Sequence, residues 1–115
     1  MSWQDYLKSS KRFAAIALRA DEDPTVRVQS AFKAVEFAIA ACARKYKKIR
    51  PERGREVLFV ELNFGARARD DFRTLLVAYY DSYGIVSKQR ADYVCKKMRS
   101  LLETIYSSLG EELND

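Results

Sequence analysis

The 115-residue chain contains no histidine. Imidazole is the side chain whose ordinary pKa falls between pH 5 and 8. Its absence excludes His-based general acid–base catalysis, Ser–His or Cys–His nucleophile pairs and His-ligated zinc. Glycine and proline are nearly as scarce, with four and two residues, which argues against a turn-rich all-β fold and for helices. The two cysteines, Cys42 and Cys95, form no C-x-x-C pair and read as reduced thiols in a core. No apolar run approaches the ~18 residues of a membrane span. The longest candidate, Val35 to Cys42, is interrupted by Glu36 and followed by Arg44-Lys45. Polar Ser2 follows Met1 without a signal-peptide pattern, so a cytoplasmic protein with no membrane contact is expected. Walker and Rossmann glycine patterns are missing, and no paired-carboxylate arrangement can be placed. No cofactor or metal is expected.

What the chain does have is helical rhythm. Ser2 followed by Asp5 reads as a capped helix start, with Trp3, Tyr6, Leu7, Phe13, Ala14, Ala17 and Leu18 recurring at helical spacing. Asp23-Pro24 marks a second start. Val28, Phe32, Val35, Ile39, Cys42 and Tyr46 then follow one another at steps of four and three. Ala31, Ala34, Ala38 and Ala41 flank them and admit a close neighbour. Arg27, Gln29, Ser30, Lys33 and Glu36 mostly take the opposite, polar face. Val57-Leu58-Phe59-Val60 lacks a partner strand and reads as a short helix ending near Gly65.

The next helix is expected from Asp70 or Asp71, with Gly84 as its C′ residue and Ile85 as apolar follower. Ser87 caps the last helix. Its stripe is Ala91, Val94, Met98, Leu101, Leu102, Ile105 and Leu109, and Gly110 ends it. The expected fold is all-α: one antiparallel bundle of about five helices over residues 1–110, with a short acidic tail at 111–115.

Lysine and arginine outnumber aspartate and glutamate 21 to 16, a net charge of +5, which makes an anionic partner a candidate. The densest run is Arg44-Lys45-Tyr46-Lys47-Lys48-Ile49-Arg50. Lys45, Lys47, Lys48 and Arg50 are candidate phosphate contacts. The alternative is a solvated helix C-terminus, where the dipole favours cations anyway. Arg73 either faces a cleft and pairs with phosphate through its planar fork, or pairs with Asp70 or Asp71 at a helix start. Tyr79, Tyr80 and Tyr83 either stack on bases or fill a core or dimer seam with their hydroxyls at the wet edge.

Arg73-Thr74-Leu75-Leu76-Val77-Ala78-Tyr79-Tyr80 resembles the Arg-x4-His-x-Tyr motif of HEPN domains. Arg73 and Tyr80 are in register, and Ala78 stands at the His position. Thr74 stands where the family often has Asn. The helix count, the short break at Gly84-Ile85 and the long final helix opening at Ser87 also agree. The resemblance implies a homodimer whose motif helices face each other across a cleft. Active members of the family act on RNA. Members without the His serve as binding or partner modules, often beside a nucleotidyltransferase. Ala78 implies the second group: a non-enzymatic module for RNA, a nucleotide or a partner protein. The competing expectation is a small helical structural or adaptor subunit of a larger, possibly RNA-containing, assembly.

Overall fold

A computed structural model describes residues 1–113, and these form five helices with no strand among them. They are α1 (Trp3–Ala17), α2 (Pro24–Lys45), α3 (Glu56–Phe64), α4 (Ala66–Asp81) and α5 (Lys88–Ser108). The starts of α1 and α2 are those expected. Ser2 and Asp5 exchange side-chain and backbone hydrogen bonds in a capping box, and these bonds from Ser2 hold the Asp5 carboxyl below its ordinary range. Asp23 accepts from the Thr25 and Val26 amides ahead of Pro24.

The long α2 is the spine. Residues Ala17 and Arg27, and Ser10 and Ala34, meet across α1 and α2, so α1 runs antiparallel to it. Contacts of Gln29 with Ser82 and Phe32 with Tyr79 set α4 antiparallel to α2 as well. Contacts of Arg27 with Asp92 and Lys45 with the Leu109 carbonyl set α5 parallel to it. Phe32, Val35 and Ile39 are buried together with Phe72, Leu75, Met98, Leu101 and Ile105; Leu76 is half-buried against them. The alanines beside this seam, Ala31, Ala34, Ala38 and Ala41, are all fully buried and let the neighbouring helices close on α2.

Two polar residues expected on the outer face of α2 are inside. Arg27 donates through Nε to the Ala17 carbonyl at 2.9 Å and pairs with Asp92 at 2.7 Å. Ser10 on α1, Tyr106 on α5 and the Ala34 carbonyl form another internal network, at 2.7 and 2.6 Å. Ser30 is also buried. Conversely Tyr46 leaves the seam and lies exposed, its hydroxyl donating to the Ser108 carbonyl.

Two boundaries differ from the sequence reading, both of them ends of α4. α4 begins at Ala66 rather than at Asp70 or Asp71, because Gly65 alone turns the chain at φ 95°. The two aspartates therefore sit within the helix, and Asp71 pairs with Lys97 at 3.7 Å. Gly84 is not a left-handed C′ residue; α4 ends at Asp81 with Ser82 as its cap, and Ile85 is fully exposed. Gly110 does fill that role for α5, at φ 74°. Of the expected acidic tail, 111–113 are described and non-helical; Asn114 and Asp115 lie outside the described residues.

Candidate functional site

The end of α2 fans the basic run in two directions. Tyr46 caps the helix, and Lys47 follows at φ 55°, the one non-glycine residue with positive φ among those described. The Lys48 amide then donates back to the Ala43 carbonyl at 2.8 Å. This reversal separates residues that are adjacent in sequence. Lys45 turns inward, its ammonium 2.8 Å from the Leu109 carbonyl and 4.4 Å from the centre of the Trp3 ring. With Tyr46 it fastens α2 to the end of α5 and the start of α1, which is structural work.

Arg44, Lys47 and Lys48 turn outward and line, with Ala43, a concavity of about 560 Å³. A second one of about 240 Å³ adjoins it, sharing Ala43, Arg44 and Lys48 and adding Tyr6, Ala40 and Arg50. The Arg50 guanidinium lies 5.5 Å from the centre of the Tyr6 ring, and Lys48 also reaches the Asn63 side chain on α3. Four cations and one aromatic thus border a shallow trough with a small-residue floor. Fork donors and ammonium donors beside a π face suit an anionic chain with stacking groups. Of the expected phosphate contacts, Lys47, Lys48 and Arg50 meet here and Lys45 does not. Arg44 and Tyr6 complete the trough; helical spacing put Tyr6 in the core stripe, and it is half-buried, with Phe37 6.4 Å from its ring and Arg50 beside it.

Arg73 lies elsewhere, on the outer face of α4. It is exposed, and neither aspartate expected to pair with it does so: Asp70 binds Arg69 at 3.1 Å and Asp71 binds Lys97. Tyr80 and Val77 share its face and are exposed too. Ala78 is 2% exposed and packs in the core. Five helical residues carry a side chain about 140° round from its start, so a histidine placed at 78 would meet core atoms rather than Arg73. Tyr79 forms part of the core wall, stacked on Phe32 at 4.4 Å. Tyr83, on the rim, meets Tyr79 edge-on at 6.1 Å. The three tyrosines therefore form a seam between core and surface, the structural alternative, with only Tyr80 and Tyr83 open to a ligand.

One constellation had no place in the sequence reading. Glu36, midway along α2, meets Glu56, the first residue of α3. Glu56 is 6% exposed, and its Oε1 has no hydrogen-bond partner. Burial, reinforced by the Glu36 charge and hydrogen bond, pushes the Glu56 carboxyl up to about 7. Arg53 on the connector binds Glu36 at 3.3 Å and stands over the Tyr79 ring. The Tyr79 hydroxyl, bonded first by Tyr83 and then by Arg53, is pulled below the ordinary phenol range. The available signal was Glu36 itself, the charge that breaks the apolar run from Val35 to Cys42.

The chemistry open to other reactive groups is narrow. Cys42 and Cys95 are both free and buried, and burial raises both thiols, which disfavours the reactive thiolate. Among the described residues no group of three or more Cys, Asp or Glu side chains could hold a metal ion. No described helix is long and apolar enough to cross a membrane. Compared with known proteins, the chain matches no family model, no curated protein and no solved structure.

Proposed function

We propose that this protein is a non-catalytic helical module that holds the phosphate backbone of single-stranded RNA in the trough of Arg44, Lys47, Lys48 and Arg50. The observation that carries this reading is the trough itself: four cations converge beside Tyr6, three of them lining the larger concavity. A solvated helix end needs no such convergence. Nothing in the trough distinguishes one base from another, so recognition is of backbone and stacking rather than sequence. The lack of any imidazole supports a binding role over a cleaving one.

The test is binding to a short oligouridylate as salt is varied. Four phosphate contacts to a single strand give a log–log slope of about −2.8. Charge reversal at Lys47 and Lys48 weakens binding to all sequences alike, while Lys45→Ala and Arg73→Ala leave the slope unchanged. Absence of binding at ~50 mM salt, or a slope that depends on Arg73 instead, overturns the proposal.

A second reading rests on α3 and α4, whose outer faces expose Leu58, Leu62, Val77 and Tyr80. Exposed apolar side chains on adjacent helices fit a protein partner: a second copy of this chain, a nucleotidyltransferase, or a larger assembly for which this is an adaptor. Arg73, on the same face as Val77 and Tyr80, belongs to this reading. A dimeric mass in solution that Leu62→Asp or Val77→Asp converts to a monomer supports the homodimer; a monomer at all concentrations turns it toward a different partner.

A further inference from the structure

We propose that the phosphate track continues beyond the trough, along the seam where α1 packs on α2, to a second pair of cations, Arg12 and Lys33. A longer strand is then held by six cations where a short one meets four. This rests on the reading of the trough as a phosphate site and extends it to the length of chain bound. The seam follows from spacing. Lys33, Phe37, Ala40 and Arg44 recur on α2 at steps of four, three and four, which puts them on one side of the helix. Tyr6 and Phe13 stand seven residues apart on α1, about two turns along one side. The concavity lined by Tyr6, Ala40, Arg44 and Arg50 is the near end of both stripes.

A row of rings joins the two ends. The Phe37 ring lies 6.4 Å from that of Tyr6 and is stacked on Phe13 at 5.6 Å, with 4° between the planes. Each end of the row carries cations. Arg50 lies 5.5 Å from the centre of the Tyr6 ring, and Lys33 and Arg12 lie 5.4 and 5.7 Å from that of Phe13. Arg12 and Lys33 are exposed, and no ion pair among the described residues includes either of them. A carboxylate would hold such a side chain by neutralising it. A ring holds it and leaves its full charge for a phosphate. The acids beside the seam are already engaged: Asp5 in the capping box with Ser2, and Glu36 by Arg53 at 3.3 Å.

Distance sets which strands can use the second pair. From Lys33 to Arg44 the axis of α2 advances about 16 Å. That exceeds the Debye length of about 10 Å at 0.1 M salt, so Arg12 and Lys33 add little to the field felt by a strand confined to the trough. They act on a strand long enough to reach them. Phosphate contacts fix position without reading bases, so the added recognition is of length.

The experiment compares oligouridylates of about 5 and about 12 nucleotides, the shorter carrying only enough phosphates to fill the trough. Affinity is followed against salt for three proteins. They are the wild type, the double variant Arg12→Gln with Lys33→Gln, and the charge-keeping exchange Arg12→Lys with Lys33→Arg. Six contacts give the longer strand a wild-type log–log slope of about −4.2, against about −2.8 for the shorter. The glutamine pair is expected to bring the longer strand to about −2.8 and to leave the shorter strand's binding unchanged, while the exchanged pair keeps about −4.2. A slope for the longer strand that the glutamine pair does not move overturns the track and leaves the trough standing. So does a fall in slope that the exchanged pair shares, because charge is then not what the strand meets. A glutamine pair that weakens both strands alike also overturns the track. No binding of either strand overturns the trough, and the track with it.

Discussion

The α1–α2–α5 half of the molecule is finished, and the hairpin of α3 and α4 with its connector is not. In the first half, among the described residues, no fully buried side-chain oxygen or nitrogen is left without a partner. Arg27 satisfies the carbonyl of Ala17 and pairs with Asp92, and the Cys95 thiol donates to the same carbonyl at 3.1 Å. Burial would depress the Arg27 guanidinium, but the Asp92 carboxylate beside it leaves its pKa raised overall. Ser10 and Tyr106 close a second network across three helices. In the second half α3 has no side-chain cap, Glu56 keeps an orphaned oxygen, and Leu62 is 75% exposed although it is apolar. Satisfied networks fix one packing. The orphaned Glu56 oxygen and the uncovered Leu58 and Leu62 are unused interactions of this second half.

Core substitution tests the contrast most strongly. Phe32 is buried between Phe72 and Tyr79, with ring centres 5.9 and 4.4 Å away. Phe32→Ala removes that ring from the joint between α2 and α4 and is expected to destabilise by about 3–5 kcal/mol. Leu62→Ala on the uncovered face is expected to change stability by less than ~0.5 kcal/mol. Chemical denaturation of the two variants decides. Comparable losses would mean that α3 is as firmly committed to the bundle as α2 and would erase the distinction between the halves.

A smaller effect is expected from Glu56, with the opposite sign. Its folded pKa of about 7 lies above the ordinary 4.5. The folded chain therefore holds a proton that the unfolded chain has released. The associated stability is complete below the unfolded value and is lost as pH rises through the folded one. Between pH 5 and pH 8 the wild type is expected to lose stability while Glu56→Gln does not, with a gap of about 1–3 kcal/mol at pH 8. Asp5 and Asp92 do not obscure the window, because Ser2 and Arg27 respectively hold their carboxyls below the ordinary range. Thermal melts of both proteins across that range are the check. Parallel curves would show that Glu56 is ionised and hydrated in the folded state.

How much of this was legible in the sequence follows the same division. Where one periodic pattern met one core, in α2 and α5, most of the buried residues were readable from spacing, Tyr106 excepted, and so were the caps of α1, α2 and α5 at Ser2, Asp23 and Ser87. Arg27 defeated the polar-face rule because its partners, Ala17 and Asp92, come from other helices and have no signature in local sequence. The start of α4 was misplaced because aspartates usually open helices, whereas a lone Gly65 with positive φ had already turned the chain. In the candidate site, the charge of the run was readable but its direction was not. Lys45 ends α2 facing Trp3 and Leu109, and the left-handed turn that follows at Lys47 reverses the chain. The Glu36–Glu56 pair joins residues twenty positions apart through a connector without regular periodicity, so no spacing rule reaches it.

The smallest expected effect sharpens the comparison at one residue. α2 and α5 end in the same motif. In α5, Gly110 donates to Ser107 at 3.1 Å and Glu111 to Tyr106 at 2.9 Å; in α2, Lys47 donates to Arg44 at 3.4 Å and Lys48 to Ala43 at 2.8 Å. The left-handed position is glycine in α5 and lysine in α2, at φ 74° and 55°. A side chain at such a position is strained, and glycine is not. Lys47→Gly is therefore expected to stabilise the fold by about 0.5–1 kcal/mol, after allowance for the extra freedom glycine has when unfolded. If Lys47 were only a solvated helix end, that substitution would be a gain with no loss. As one wall of the trough it removes a phosphate contact, and the salt slope is expected to fall from about −2.8 to about −2.1. A more stable protein that binds a phosphate chain less well is the signature of strain retained for function. A Lys47→Gly variant that gains stability with an unchanged slope would place Lys47 outside the site and leave Arg44, Lys48 and Arg50 to form it.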